Sequence, residues 1–500
     1  MDIGLLKDGF ISILEPLTLL LVIMGLVIGV FLGALPGIGS SMAIVLALPF
    51  TYFLDIVPAI ALLVTIYVGS TYGGSITAIL FNTPGTPESV ATTFDGYPLA
   101  QKGEVGKALG LAISSSAFGG IFAVLVMLFL SPWLSQVALK MHSSEYFALA
   151  FLGMAVISSI GSANTIKAII SGLIGIFIST IGVDPITATD RFTFNSIELM
   201  NGISYIPIMI GAFALGEVFS QISGGQKEND DYDEGNEATS KFKLGAFKIK
   251  EFFLYKWVAL KSSIIGTVIG ILPGTGGSIA SFVSYGIAMR TSKNQEKFGK
   301  GSEEGLVAPE SSNNAAAGGA MIPTLILGIP GSPTTAVILA ALVLQGLQPG
   351  PQLLSDQPIL LYSVFFAMLI ASILTFIVGR LGIRVFELLL KLPYSIIATF
   401  IIILSLLGAF AVDNNILNVW IMLIFGVIGY LMKLYDFSVA SLILGIVLGP
   451  LMEESFRRHL LLNNGNYMSF FHSPITVIIL IIALMAIVLP QLLNKNKNKN

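Results

Sequence analysis

Apolar runs that no water-soluble fold could cover recur along the whole chain, from Leu17–Leu35 near its start to Ile475–Leu493 near its end. Each is about 18 residues or longer, the length a helix needs to span a hydrocarbon core about 30 Å thick. Within hydrocarbon the backbone must satisfy its own hydrogen bonds, so only helices and closed barrels cross it. The runs are continuous and do not alternate over about 10 residues, which argues against a barrel. Charged residues make up only 11% of the chain and mean hydropathy is +0.86, whereas a soluble domain carries roughly 25% charged residues. The expected class is an all-α polytopic membrane protein whose surroundings are the lipid bilayer.

Several alternatives fall away on composition. There is no cysteine, and His142, His459 and His472 are scattered, so a disulfide framework or a thiolate or histidine metal cluster has no material. No metal, organic cofactor or nucleic-acid partner is expected. The opening MDIGLLKDGF lacks the basic stretch and small-residue cleavage site of a signal peptide, so the first apolar run is read as a retained membrane segment.

One stretch is plainly aqueous, the mixed-charge linker 224–256. It divides the sequence into halves that resemble each other. Ile28–Ala43 (IGVFLGALPGIGSSMA) matches Ile265–Ala280 (IGTVIGILPGTGGSIA), and Gly73–Pro87 (GGSITAILFNTPGTP) matches Gly319–Pro333 (GAMIPTLILGIPGSP) in the same order. Two ordered matches indicate an internal duplication of about 240 residues, a common architecture of secondary transporters. The expected organisation is a first transmembrane repeat at 1–223, a cytoplasmic linker at 224–256, a second repeat at 257–473 and a terminal helix with basic tail at 474–500.

Basic residues decide between parallel and inverted repeats, because Lys and Arg concentrate on the cytoplasmic side. Lys102 and Lys107 follow the first PGTP block, while the matching Pro349–Gln357 has no basic residue. Conversely, Arg290, Lys293, Lys297 and Lys300 follow the second PGTGGS block, while Phe53–Val57 has none. The Pro132–Ser144 loop holds only Lys140, whereas its counterpart carries Arg380, Arg384 and Lys391. Basic residues swap sides between matching loops, so two inverted-topology repeats are expected. With the linker cytoplasmic, 21 of the 26 Lys and Arg lie inside, leaving Lys7, Lys140, Arg191, Arg457 and Arg458 outside. About 10 to 13 membrane segments are expected, some of them discontinuous helices or re-entrant hairpins.

Those discontinuities come from four related interruptions of apolar sequence: 36–41 (PGIGSS), 82–87 (NTPGTP), 273–278 (PGTGGS) and 329–335 (IPGSPTT). Irregular backbone at membrane depth survives only where protein buries it or where it lines a polar cavity. In discontinuous helices, half-helix N-termini point their free N–H groups at anionic substrate groups. Glycine admits close approach, which singles out Gly37, Gly39, Gly85, Gly274, Gly276 and Gly331; for Gly85 and Gly331 a ligand contact or a positive φ is expected. Hydroxyl and amide groups beside them add donors: Ser40, Ser41, Asn82, Thr83, Thr86, Thr275, Ser278, Ser332 and Thr334. A single break of this kind is adequately explained by a kink or close packing. Four, paired across a duplication, point to a binding site.

A further polar run, Glu310–Asn314 (ESSNN), leads into the last break and aligns with Tyr67–Gly74, which contains Ser70 and Thr71. It reads equally as a cavity-lining hinge offering Asn313 and Asn314 or as a tightly packed approach helix. Glu88, Asp95 and Glu310 are candidates for cation or proton coupling, with interfacial loop carboxylates as the competing explanation. Glu453 and Glu454 beside Arg457 and Arg458 read as a solvated loop, and Trp133, Trp257 and Trp420 as interface anchors. No G-x-x-x-x-G-K-[ST] occurs, so energy is expected from an ion gradient or another subunit. No nucleophile with an acid–base pair is visible, so an enzyme is not expected.

In GALPGIGSSMA, YVGSTYGGSITAILFNTPGTPESVATTFDGYPLAQKG, ILPGTGGSIASFVSYGIA and APESSNNAAAGGAMIPTLILGIPGSPTTAVILAALVLQGLQPGP, the chain resembles the large permease subunit of the tripartite tricarboxylate transporters, the TctA family. The resemblance runs from about residue 15 to the C-terminal segment. It implies a prokaryotic inner-membrane permease that works with a small membrane subunit and an extracytoplasmic solute-binding protein. Together they would import a carboxylate, typically a tricarboxylate, with Na+ or H+ as the coupling ion. It also makes the four matched breaks, with Asn313 and Asn314, the implied substrate and ion site. Ser311 and Ser312 depart from a family pattern that is mainly alanine there. A permease for another small anion or solute is the alternative.

Overall fold

The computed structural model describes residues 3–35, 37–160, 165–223, 249–389, 394–412 and 414–497. Pro36, the greater part of the mixed-charge linker (224–248), Lys391 and Lys499 lie outside the described residues. The only strands among the described residues are the short antiparallel pair Gly182–Val183 and Asp190–Arg191; the rest of the regular structure is helical. Eight helices there are long and apolar enough to cross a membrane, and six shorter apolar helices accompany them. The breaks cut apolar sequence into pieces such as Gly39–Thr51 and Pro333–Leu344 that are short of a full span, as half-helices would be. A helical turn at Ile249–Phe252 leads into helix Lys256–Ile271.

Helix Pro16–Ala34 packs along Ile56–Phe81, and Lys256–Ile271 packs along Glu303–Ile326. Glycine sets both contacts. A Cβ on Gly29 would stand 2.4 Å from the Ile66 carbonyl oxygen, and one on Gly33 2.2 Å from that of Ser70. On Gly266 and Gly270 it would stand 2.2 and 2.4 Å from the carbonyl oxygens of Ser312 and Ala316. No carbon fits at such distances, so these backbones meet only because the side chains are absent. In lipid, where apolar burial drives little association between helices, close packing of this kind holds a bundle together. The sequence match places Gly29 over Gly266 and Gly33 over Gly270, so the two contacts are copies.

The halves are also interlocked. Val105–Ala138 lies along Glu303–Ile326, while Pro358–Leu389 lies along Ile56–Phe81. The two long helices touch where a Cβ on Gly120 would meet the Ser372 hydroxyl at 2.4 Å. A second, peripheral layer repeats the pattern. Thr165–Ser179 packs on Val439–Leu462 with Gly175 against the Leu442 carbonyl, and Ile416–Leu434 packs on the π-helical turn Ile210–Leu215 with Gly211 against that of Met422.

Several local expectations change. The Pro132–Ser144 loop shrinks, because helix Val105–Ala138 runs on through Pro132. Of the two readings of Glu310–Asn314 and Tyr67–Gly74, the packed approach helix agrees with the structure: both lie inside unbroken helices, Glu303–Ile326 and Ile56–Phe81. Their small residues let neighbouring backbones close in on them. Glu453, Glu454, Arg457 and Arg458 belong to helix Val439–Leu462 instead of a solvated loop. There Arg457 donates to Asp184 at 2.6 Å and to Glu453 at 2.7 Å, and Arg191 donates to Glu453 at 2.5 Å. That network ties the 182–191 hairpin to the helix end, and the Arg457 guanidinium, with the Ile186 and Thr187 amides, holds the Asp184 carboxyl well below the usual carboxylate range.

Two lysines reach backbone carbonyls of segments whose basic residues the sequence assigns to the same side. Lys102 donates to the Lys300 carbonyl at 2.5 Å, and Lys107 bridges Glu104 and Glu303 at 2.9 and 2.6 Å. Lys167 donates to the Tyr435 carbonyl at 2.7 Å, close to Lys433, which pairs with Glu217. Trp133, Trp257 and Trp420 are all exposed, as anchors at an interface require.

Candidate functional site

The first and third breaks share one backbone design. Helices Pro16–Ala34 and Lys256–Ile271 stop at Leu35 and Leu272, both extended, with ψ of 117° and 120°. Then Gly37, Ile38 and Gly39 take φ of +88°, −77° and +61°, and Gly274, Thr275 and Gly276 take +85°, −73° and +64°. Alternation of left- and right-handed residues makes a concavity of the kind that suits an anion; the Ile38 and Thr275 amides turn back to the Leu35 and Leu272 carbonyls at 3.2 and 3.4 Å, so the donors left to a ligand are chiefly those of the helix that follows. Only glycine holds the left-handed positions without strain. The next helix starts in each concavity, Gly39–Thr51 or Gly276–Thr291, and neither start has a side-chain cap. The N–H groups of these first turns are therefore available to a ligand. The Thr275 hydroxyl is turned away, donating to the Leu272 carbonyl at 3.0 Å.

The second and fourth breaks lead into helices by a different route. Ser332 caps Pro333–Leu344, accepting from the Thr335 amide at 3.2 Å while its own amide donates to the Thr335 hydroxyl at 2.9 Å. At the aligned position the Thr86 amide donates to the Ser89 hydroxyl at 3.4 Å. All four breaks then join in one chain of contacts. The Ser41 and Thr334 hydroxyls lie 3.0 Å apart, linking the first break to the fourth. The Gly274 amide donates to the Gly331 carbonyl at 2.9 Å, linking the fourth to the third. Gly277 abuts Glu88, where a Cβ would come within 2.8 Å of Cγ, and the Ser281 hydroxyl donates to the Glu88 carbonyl at 2.9 Å, linking the third to the second. Tyr67 adds a hydroxyl 3.5 Å from that of Ser332.

Four buried polar atoms in this cluster have no partner: the Ser40 and Thr86 hydroxyls, one carboxylate oxygen of Glu88 and the amide nitrogen of Asn313. An unmet buried polar group costs about 1–3 kcal/mol, so four together mark where a ligand or water would be held. Asn314 is satisfied internally, donating to the Glu310 carbonyl at 3.2 Å and to the Asn313 side chain at 2.7 Å. Ser278 sits half-buried in the first turn of its helix.

The tripartite tricarboxylate transporter TctA family matches residues 19–444. The chain belongs to this family. It is therefore a multi-pass membrane subunit of a tripartite tricarboxylate transporter, a system that also has a solute-binding protein and a small subunit. Similar proteins include the "Uncharacterized 52.8 kDa protein in TAR-I ttuC' 3'region" of Agrobacterium vitis, 36% identical over 488 residues, 97% of this chain and 96% of the relative. The "Uncharacterized protein in TAR-II ttuC' 3'region" of the same organism is 37% identical over 227 residues, 45% of this chain and 94% of the relative. No solved structure matches the chain.

In this TctA-family chain, other residues singled out by sequence fall outside the cluster or play another part. Gly85 and Gly331 have no positive φ, and the space a Cβ would take is already filled by protein. They are packing positions, since a Cβ on Gly85 would stand 2.1 Å from the Gly33 carbonyl and one on Gly331 2.7 Å from the Ala320 Cα. Asn82 ends helix Ile56–Phe81 in the left-handed conformation at φ +55°, and both it and Thr83 are exposed. The Ser70 and Thr71 hydroxyls both donate to the Tyr67 carbonyl, at 3.0 and 2.9 Å. Asp95 acts as a clasp: it accepts from the Gly301 and Ser302 amides at 2.8 and 2.7 Å and from the Tyr285 hydroxyl at 2.9 Å.

Glu310 is fully buried within a cage of first-half hydroxyls. Ser75 donates to one carboxylate oxygen at 2.6 Å, Thr92 donates to the same oxygen, and Ser116 donates to the other at 2.8 Å. Sequence reasoning named Glu310 but missed its three partners. Ser116 ends a triple serine inside an apolar run, which was the available signal; Ser75 and Thr92 carried none. Also missed were Tyr67 and the Glu217–Lys433 pair, where a Cβ on Gly37 would approach the Glu217 carboxylate at 2.8 Å. A lysine closing an apolar run looks like any topogenic charge.

Proposed function

We propose that this chain is the permease of its transporter: it carries a carboxylate inward across the prokaryotic cytoplasmic membrane by secondary transport coupled to Na+ or H+. An extracytoplasmic binding protein delivers the substrate, and the small membrane subunit completes the complex. The observation that carries this reading is the meeting of all four breaks, linked Ser41 to Thr334, Gly331 to Gly274 and Gly277 to Glu88. Irregular backbone from both halves gathered at one buried place, with open helix N-termini and unmet polar atoms, is what an anion leaving water requires. No Lys or Arg lies within the breaks, so backbone N–H groups and hydroxyls do the binding.

Inverted topology of the two halves belongs to the same proposal. It is supported by the contact between Lys102 and the Lys300 carbonyl, which sets the basic loops of the two halves side by side although they follow different blocks of the repeat. The four glycine-set helix contacts, matched pair by pair, fit such a duplication. The test is reconstitution of the chain with its small subunit in proteoliposomes, the binding protein and labelled citrate outside. Uptake against a concentration gradient is expected when a Na+ or H+ gradient is imposed. Undiminished uphill uptake with both gradients collapsed and ATP present would refute the coupling.

A further inference from the structure

The duplicated breaks match in backbone but not in charge. At the first, the helix that starts at the Gly37–Gly39 turn brings hydroxyls: Ser41 bonds Thr334 at 3.0 Å, and Ser40, only 3% exposed, has a hydroxyl with no partner in the first turn of helix Gly39–Thr51. At the third, the residue aligned with Thr334 is Glu88, whose side chain packs against Gly277 in the first turn of helix Gly276–Thr291. A carboxylate at a helix N-terminus compensates the positive end of the dipole and repels a second anion. The first break also has a carboxylate nearby, Glu217 beside Gly37, but it is neutralised by Lys433 and held by Gln221 at 2.9 Å. Glu88 has no basic partner among the described residues. Of the three acidic candidates it alone has a buried carboxylate oxygen that no well-formed hydrogen bond reaches, with only its own backbone and the Thr86 hydroxyl close by, since Asp95 and Glu310 have both oxygens bonded.

We propose that the two breaks take opposite charges: a substrate carboxylate is held at the first, by the Gly37–Gly39 backbone with Ser40, Ser41 and Thr334, and the accompanying cation at the third, on Glu88. The cation is a proton or a sodium ion, the two sources of one positive charge that a lone carboxylate accepts. This assignment rests on the carboxylate-transport reading above and divides its labour between the repeats.

The experiment exchanges the aligned residues in the purified full-length chain and measures citrate binding, titrating Na+ at fixed pH and pH without Na+. Wild-type affinity should rise at least about tenfold with one of the two cations. Glu88→Thr should bind citrate with that dependence gone. Thr334→Glu should lose citrate binding about a hundredfold or more, from like charges brought together. Thr334→Val, which removes one hydroxyl, should lose only about 2- to 10-fold. If Thr334→Glu is not monodisperse, Ser41→Asp puts the same charge in the same break and should lose binding equally. Citrate binding by both Thr334→Glu and Ser41→Asp within threefold of wild type, or cation dependence persisting in Glu88→Thr, overturns the assignment. Absence of citrate binding by the wild type at every Na+ concentration and pH overturns the transport reading itself.

Discussion

Gly39→Ala separates backbone geometry from packing at the proposed anion site. A Cβ at Gly39 would meet nothing within 4 Å, and the same holds at the aligned Gly276, so neither variant creates a clash. What changes is conformation, because φ is +61° at Gly39 and +64° at Gly276, and an L-residue in the left-handed region is destabilised by about 1–2 kcal/mol. Relief of that strain is partial: the variant retains some of the stability loss while φ relaxes and the N–H groups swing out of the concavity. A hydrogen bond to a charged group is worth about 1.5–3 kcal/mol, so each N–H withdrawn from a carboxylate lowers affinity about tenfold to a hundredfold. Gly39→Asn is the control, since asparagine tolerates the left-handed region and should keep much of the affinity. Thermal unfolding and citrate affinity are measured on the same purified variants. The expected result is a small, equal stability loss for Gly39→Ala and Gly276→Ala, with the loss of substrate affinity concentrated in Gly39→Ala. Wild-type affinity in Gly39→Ala, with the stability loss present, would show that the turn only joins two helices.

Three further outcomes follow from the packing and the charges. Gly85→Ala and Gly331→Ala should lose folded protein, because the new methyl would stand 2.1 Å from the Gly33 carbonyl or 2.7 Å from the Ala320 Cα, overpacking that costs about 1–3 kcal/mol or more; normal monodisperse yield of both would contradict this. Single cysteines placed at Lys102 and Arg290 should be labelled from the same side of the membrane, and labelling from opposite sides would sink the inverted arrangement; the chain has no native cysteine to interfere. Asp184 has its folded pKa depressed by Arg457, so its stabilisation is present above the usual aspartate value of about 4 and is lost as pH falls toward the folded value; Asp184→Asn should flatten the acid limb of a stability–pH profile, and an unchanged limb would count against that role.

The membrane class, the duplication and the four breaks were legible because each rests on a pattern longer than one residue: apolar length, ordered self-similarity and a helix breaker repeated in register. What the breaks do to the helices around them was less legible. Glu310–Asn314 reads equally as a cavity-lining hinge or a packed approach helix; it is helical throughout, and its carboxylate is met by side chains about 200 residues away: Ser75, Thr92 and Ser116. No local pattern announces such partners, since a lone serine or threonine in an apolar run more often bonds its own helix, as Ser70 and Thr71 do.

Glycine shows most clearly where the sequence stops speaking. Gly37, Gly39, Gly85, Gly274, Gly276 and Gly331 all stand beside a proline or a hydroxyl in a break, and in the sequence they are one class. In the structure they divide by what each exploits. Gly37, Gly39, Gly274 and Gly276 use the freedom of φ, while Gly85 and Gly331 use the missing Cβ to let two backbones touch, as Gly29, Gly33, Gly266 and Gly270 do along the helices. A letter in a sequence records neither a dihedral angle nor a neighbour, so the two uses look alike there. They predict opposite phenotypes, however. Loss of φ freedom at Gly39 should weaken the ligand and leave the fold, whereas an added methyl at Gly85 should remove the fold and the ligand together. A glycine scan scored only by transport activity would merge these classes; scored by both yield and affinity, it would draw the boundary of the anion site.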